Sequence, residues 1–191
     1  AYNAGASYPA NAAEITSLIT AYMKNAGAKT SPQKPCGIIV PHAGYIYSGP
    51  VAAYAYRELK DQKYDAVIVM SPCHVEYFSF AAIYPGDAYL TPLGKVTVDK
   101  KLAAQCVTSD GLVKLATEGH IGRRFGRAEH SLEVQLPFLQ IVLPNTPIVP
   151  IVIGTHDWRV LESLGNRLGD LLVQKNILIV ASSDFSHYHS Y

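Results

Sequence analysis

Charge is scarce in this sequence and nearly balanced. Lys and Arg number 16, Asp and Glu 15, together 16% of 191 residues, well below the usual quarter. A net charge of +1 offers no basic footprint for nucleic acid and no polybasic patch for an anionic membrane. With 49% hydrophobic residues, such low charge excludes a disordered chain. Cysteine is also sparse. Cys36, Cys73 and Cys106 form no CxxC pair and no even disulfide framework, so a reducing, cytoplasmic compartment is expected. No apolar run approaches the roughly 18 residues that span a bilayer. Residues 1–10 lack the basic and apolar regions of a signal peptide. Repeats and low-complexity segments are missing too. The length of 191 residues fits one large domain or two small ones. The chain lacks an initial Met and stops at Tyr191 without a closing element, so its C-terminal part is expected to be missing.

What is present alternates between short apolar runs and amphipathic segments. Asn11 with Glu14 reads as a helix start, Ile15, Leu18, Ile19, Tyr22 and Met23 as its buried stripe, and Gly27 as its stop. Residues 36–40 form an apolar run ended by Pro41, expected to be a fully buried strand. Ser48 and Gly49 before Pro50 predict a helix starting there and running to about Lys60. Further strands are expected at 66–70, 78–84, 95–98, 148–153 and 177–181. Asp99 and Asp157 are expected to cap helices, with inner faces Leu102, Ala103, Cys106, Val107 and Val160, Leu161, Leu164, Leu168, Leu171, Leu172. Leu132, Leu136, Leu139 and Leu143 keep helical spacing, with a kink predicted at Pro137. The fold class is α/β, with a largely parallel or mixed central sheet and helices on both faces.

Ligands of open α/β sheets bind beyond the carboxyl ends of strands, and histidines recur there. The windows 41–45, 72–76, 154–158 and 183–187 hold His42, His74, His156 and His187, each following a predicted strand. Neutral imidazole is a common ligand of Zn, Fe and Cu, and Pro41 and Pro72 stiffen the approach to His42 and His74. The competing reading has each histidine capping a helix or satisfying a buried carbonyl. Asp184 stands three residues before His187, the spacing of an orienting carboxylate and a general base or of an ordinary Asx turn. Glu129, His130 and Glu133 open the Leu132 helix, where the macrodipole alone favours carboxylates. Cys73 reads as a soft ligand or redox thiol, or as a small buried hydrophobe. Arg123, Arg124 and Arg127 read as an anion site or a solvated loop, and His156-Asp157 as a helix cap. Tyr45, Tyr47, Tyr54 and Tyr56 either line a pocket with hydroxyls or are half-buried.

Four stretches together resemble the Memo family. Pro41-His42-Ala43-Gly44-Tyr45-Ile46-Tyr47-Ser48-Gly49 resembles its PHAGY-x-YSG signature and Ser71-Pro72-Cys73-His74 its GPSH element. Glu129-His130-Ser131-Leu132-Glu133 with Leu136-Pro137 resembles EHS-x-E-x-x-LP, and Ser182-Ser183-Asp184-Phe185-Ser186-His187 resembles SSDFSH. Ala4-Gly5-Ala6-Ser7-Tyr8 is similar to a variant of AGSWY. The resemblance implies a single Memo-like domain over residues 1–191, similar to class III extradiol ring-cleaving dioxygenases, which hold non-haem Fe(II) on two His and one carboxylate. It implies that His42 and His74 hold a metal, Fe(II), Cu or Zn, and that His187 with Asp184 does acid/base work. Cys73, Glu129, His130 and Tyr45 become pocket candidates. Prokaryotic members are protein B of the AmmeMemoRadiSam system; eukaryotic members are linked to cell-motility signalling, and metal-dependent redox activity has been proposed for them. Two departures stand out. The family's third ligand, a Cys, would come from beyond Tyr191, so low metal occupancy and poorly covered apolar surface at 177–180 are expected. Cys73 also replaces the Ser of GPSH. Two functions follow: metal-dependent oxidation of a small molecule, or a non-catalytic cleft that binds a peptide or partner protein. Neither nucleic acid nor membrane is an expected partner.

Overall fold

Asn11 opens the first helix. Its Oδ1 accepts the N–H groups of Ala13 and Glu14 at 2.8 and 3.1 Å, satisfying two donors that a helix start leaves free. The helix, α1, spans Ala12–Ala26, and Gly27 ends it with φ 79°. Its stripe faces inward, with Ile15 and Ile19 fully buried. The computed structural model describes residues 1–122 and 126–185.

The apolar runs form one six-stranded sheet. Its strands are β1 (Gly37–Val40), β2 (Ala66–Pro72), β3 (Ala81–Ile83), β6 (Val113–Leu115), β7 (Ile148–Ile153) and β8 (Ile177–Ser182), while β4 (Ala88–Thr91) and β5 (Gly94–Thr97) pair as a separate hairpin. The order across the sheet is β1-β8-β2-β7-β3-β6. β1, β8, β2 and β7 run parallel, and β3 is antiparallel to β7. Period-2 alternation then divides the core into two layers. Val67, Val69, Ile148, Val152, Leu178 and Val180 pack under α1, α2 (Tyr45–Tyr56) and α4 (Leu136–Val142). Ala66, Ile68, Val149, Ile151 and Ile177 pack under α3 (Lys100–Cys106) and α5 (Trp158–Gln174). Helices therefore cover both faces. Asp99 and Asp157 cap α3 and α5 as the sequence predicts, accepting from Leu102 N–H and Arg159 N–H.

Several local expectations are corrected. β1 is an edge strand rather than a fully buried one, and Ile39 is 55% exposed. β8 lies between β1 and β2, so Leu178 and Val180 are fully buried, contrary to the poor cover expected at 177–180. α2 starts at Tyr45, ahead of Pro50, because Tyr45 donates its N–H to Ser7 O at 2.8 Å while Tyr47 and Ser48 close the first turn on Gly44 O. Pro50 is tolerated inside the helix because it sits on the solvent side, beside exposed Ile46, where water can reach the carbonyl that loses its donor. Pro137 produces no kink. The chain makes a single 3-10 turn at Glu133–Gln135 and then starts α4 at Leu136, with Pro137 in its first turn where no N–H is needed. The strand expected at 78–84 shortens to Ala81–Ile83, and β4 and β6 are too short to read from periodicity.

α1 and α2 meet at Gly49. A Cβ there would stand 2.4 Å from Tyr22 Cε2, and the Tyr22 hydroxyl is held by Tyr45 O at 3.1 Å. Helix propensity favours Gly49→Ala by about 1 kcal/mol. Overpacking against a tethered ring opposes it by about 1–3 kcal/mol. The variant is expected to be less stable, read as a lower urea midpoint at unchanged slope; a gain in stability would contradict this packing.

His120 is a second buried group with a measurable consequence. Its Nε2 donates to Ala82 O at 2.8 Å and its Nδ1 accepts from the Tyr89 hydroxyl at 2.6 Å. Burial pushes its pKa down to about 4, so it is neutral in the folded state at neutral pH. The unfolded chain takes up that proton near pH 6.5. Stability is therefore complete above pH 6.5 and falls as pH drops toward 4, by at most about 3 kcal/mol from this group. In His120→Gln the loss between pH 7 and 4.5 is expected to shrink by about 2–3 kcal/mol. Equal losses in both proteins would refute the assignment.

Candidate metal centre

Parallel register brings the strand ends to one edge. Val40 lies opposite Ser182, Met70 opposite Ala181, and Pro72 opposite Ile153. His42, Asp184 and His74 therefore leave the sheet at one level. A loop before α4 delivers His130 from the side. The ring centroids are 5.1 Å apart for His42 and His74, 5.8 Å for His42 and His130, and 5.1 Å for His74 and His130.

A buried carboxylate holds the ring of one of these histidines and the backbone of another. Glu129, with its side chain 2% exposed, accepts from the backbone N–H of His74 and from His74 Nδ1 at 3.0 Å. It also accepts from the N–H groups of His130 and Ser131 at 2.8 and 2.9 Å. Burial opposes its charge, but the His74 ring, the backbone donors and the attraction of His74 outweigh it and hold the carboxyl well below its ordinary range. In return, the bond from Glu129 raises the pKa of His74. Burial lowers those of His42 and His130. His74 and His130 are partly open, with side chains 44% and 33% exposed, whereas that of His42 is 5% exposed.

The remaining polar groups support this arrangement. Ser131 Oγ donates to Pro72 O at 2.6 Å, joining the His130 loop to the end of β2. Glu133 accepts from Tyr2 N–H, Asn3 N–H and the Tyr8 hydroxyl at 3.0, 2.9 and 2.6 Å. Asn3 Nδ2 also donates to Glu129 O at 2.9 Å. The N-terminal segment is thus strapped across the base of the Glu129 loop. Asp184 Oδ1 accepts from His42 N–H at 2.6 Å, and its Oδ2 lies 3.7 Å from His42 Nε2.

Tyr45 is 4% exposed, donates to Val134 O at 2.7 Å and packs on Tyr8 and Phe138; it supports the site from the core. Tyr56 is fully buried, while Tyr47 and Tyr54 face solvent. Cys73 lines the cavity beside His74. Burial pushes its thiol up to about 11, so it is protonated at neutral pH. His156 is exposed and Asp157 caps α5. Arg127 is exposed. His187, Arg123 and Arg124 lie outside the described residues. Gln135 and Ser182, both buried here, are not among the site residues expected from the sequence. The available signal was a glutamine among the inward leucines 132, 136 and 139.

The donor set fits a transition metal. His74, Glu129 and His130 each offer a ligand atom within 4.8 Å of the others. Glu129 already accepts four hydrogen bonds, so it orients the imidazoles rather than competing as a ligand. Among the described residues His42 stands outside that group, its ring centroid 5.1 and 5.8 Å from those of His74 and His130. A cavity of about 670 Å³ adjoins His74, bounded by Met70, Ser71, Cys73, Ile153, Thr155 and Leu161 among others. That volume suits a small molecule.

Comparison with known proteins now adds to the geometry. The family model described as Memo-like protein matches residues 1–191. MEMO1 family protein TV1383 of Thermoplasma volcanium is 33% identical over 186 residues, 97% of this chain and 65% of its own. A MEMO1 family protein of Metallosphaera sedula is 40% identical over 154 residues, 78% of this chain and 52% of its own. One from Sulfolobus acidocaldarius is 36% identical over 199 residues, 97% of this chain and 68% of its own. The matched region thus spans 52–68% of these relatives. Among solved structures, uncharacterized protein JW3007 from Escherichia coli K12 is similar at 19% identity and TM-score 0.46, over 72% of this chain and 58% of that one. Among the described residues, no helix is long and apolar enough to cross a membrane.

The Glu129 cluster makes a stability prediction. Glu129→Gln places an amide NH₂ group among donors and removes a charge that serves three backbone N–H groups. A loss on the order of 3 kcal/mol is expected, measured by chemical denaturation. A loss below about 1 kcal/mol would show that the carboxylate does not hold the loops together.

Proposed function

The chain belongs to the Memo-like protein family, and on that premise we propose that it binds one transition-metal ion on His42, His74 and His130 and acts on a small molecule in the adjoining cavity. The observation that carries the reading is a cluster of three imidazoles at the sheet edge, their ring centroids 5.1–5.8 Å apart. Fe(II), Cu and Zn are the candidates by ligand chemistry. When bound, such an ion would supply open coordination positions to substrate and, for Fe(II) or Cu, to dioxygen. The proposed reaction is metal-dependent oxidation of the small molecule, in keeping with the resemblance to extradiol dioxygenases.

This chain's own residues supply the setting. Glu129 holds the His74 Nδ1 proton, which leaves Nε2 as the donor toward the metal and raises its basicity. Asp184, fixed by His42 N–H, stands beside the His42 ring, where it can take part in acid/base work. The apolar walls from Met70, Ile153 and Leu161 exclude water from one side of the cavity. Three free cysteines fit a reducing, cytoplasmic setting.

A second reading, a non-catalytic cleft for a peptide or partner protein, is favoured by one observation. Tyr77 and Leu161, 77% and 36% exposed, border the cavity, an apolar rim that a peptide side chain could cover.

Anaerobic titration with Fe(II), Zn(II) and Cu(I) tests the metal. One ion per chain is expected, in place of the low occupancy that the sequence implies, because His130 takes the place of a ligand from beyond Tyr191. His42→Ala, His74→Ala and His130→Ala should each weaken binding by more than the roughly 10–100-fold typical of outer-shell changes. Binding that survives all three substitutions would reject the site. Tight binding without any metal-dependent oxygen uptake, across a panel of small aromatic and aliphatic alcohols and acids, would favour the second reading.

A further inference from the structure

Beneath His42 lies a closed set of hydrogen bonds whose donors and acceptors can be assigned one by one. Pro41 O can only accept, so the group facing it at 2.9 Å must be the Gln135 amide nitrogen. The Gln135 Oε1 end then faces the hydroxyl of fully buried Tyr56, which donates to it at 2.9 Å. The second Gln135 N–H points to Ser182 Oγ at 2.9 Å. Ser182 has one proton, and it goes to Ser131 O at 2.6 Å, another atom that only accepts. Ser182 Oγ therefore has only lone pairs left for its remaining neighbour, His42 Nδ1, at 3.0 Å.

We infer that Ser182, aligned by Gln135, is a positioning residue that holds neutral His42 as its Nδ1–H tautomer and leaves Nε2 open as a metal ligand. The inference rests on the metal reading for its consequence, but the tautomer itself does not depend on metal. A competitor is present. Asp184 Oδ2, 3.7 Å from Nε2, would favour the opposite tautomer, with the proton on Nε2 and the ligand position blocked. Ser182 is 3% exposed and Gln135 1% exposed, so water does not replace them. The proton on Ser131 O's side of the network thus decides which nitrogen of a ring more than 5 Å away from the other histidines is available.

The test is the two-bond ¹⁵N–¹H correlation spectrum of metal-free, ¹⁵N-labelled chain, which distinguishes protonated from unprotonated ring nitrogens. Wild type is expected to show protonated Nδ1 and bare Nε2 on His42. Ser182→Ala should move the proton to Nε2, and Ser182→Thr, which keeps the hydroxyl, should restore the wild-type pattern. Zn(II) titration of the same samples should show roughly 10–100-fold weaker binding for Ser182→Ala and recovery in Ser182→Thr. Should Ser182→Ala fail to fold, Gln135→Leu replaces it: freed from its amide donor, Ser182 can turn its proton to His42, and a mixture of tautomers is expected. Wild-type His42 protonated on Nε2 would overturn the inference at once. So would an unchanged Nδ1–H pattern in every folded variant. The expected tautomers with no Zn(II) bound by any protein would leave the relay standing and sink the metal reading instead.

Discussion

A single buried negative charge organises this edge of the molecule. Glu129 is almost fully enclosed, and an enclosed carboxylate survives only if donors surround it. Its donors come from two places distant in sequence: the loop after β2 and the turn before α4. The need to satisfy one charge therefore sets the distance between the His74 and His130 rings. It also explains the N-terminal strap, since Asn3 binds the Glu129 carbonyl while Glu133 gathers Tyr2, Asn3 and Tyr8. The motif that opens the chain and the motif that opens the α4 segment are thus parts of one hydrogen-bonded unit.

A second constraint is the layer of neutral polar groups between this unit and the core. Ser131, Gln135 and Ser182 are each under 4% exposed, and in such positions every proton must be placed. The layer joins the ends of β1, β2 and β8 to the α4 turn through Pro41 O, Pro72 O and Ser131 O. A half-satisfied network here would cost more than an apolar one. Among the described residues, the Ser71 hydroxyl is the exception at this level, buried without a partner beside β8.

The legible and illegible parts of the sequence divide along physical lines. Strand and helix identity came through wherever local periodicity carried it: Asn11, Asp99 and Asp157 cap the helices expected of them, and the alternation of apolar runs with helices gave a sheet covered on both faces. The strand-end rule placed His42 and His74 at one edge because parallel strands must all end there. Sheet order was not legible, since a short apolar run looks alike at an edge and in the centre, and residues 36–40 were misplaced for that reason. His130 follows no strand. Its approach to His42 depends on a loop folding back over the sheet, a long-range event with no local signature beyond the Glu129-His130-Ser131 motif. Gln135 was hidden for the converse reason: its spacing matches the leucine stripe, and only its polarity distinguishes it.

The three imidazoles are not equivalent, and the difference has a consequence for how a metal would be captured. His42 is enclosed, tied through its backbone N–H to Asp184 and through Nδ1 to Ser182, so its orientation is set before any ion arrives. His74, which borders the cavity, and His130 both stand partly in solvent, where their rings can adjust. A rigid ligand loses little freedom on binding and fixes where the ion sits, whereas adjustable ligands tolerate a change of coordination number as substrate enters. Glu129 limits that adjustment on the His74 side by holding its Nδ1. The ring left with most latitude is then His130, whose Nδ1 is 3.5 Å from the same carboxylate oxygen, farther than the His74 bond to it. His42 would thus be the fixed member of a metal-holding set, and His74, which borders the cavity, the member nearest to an entering small molecule.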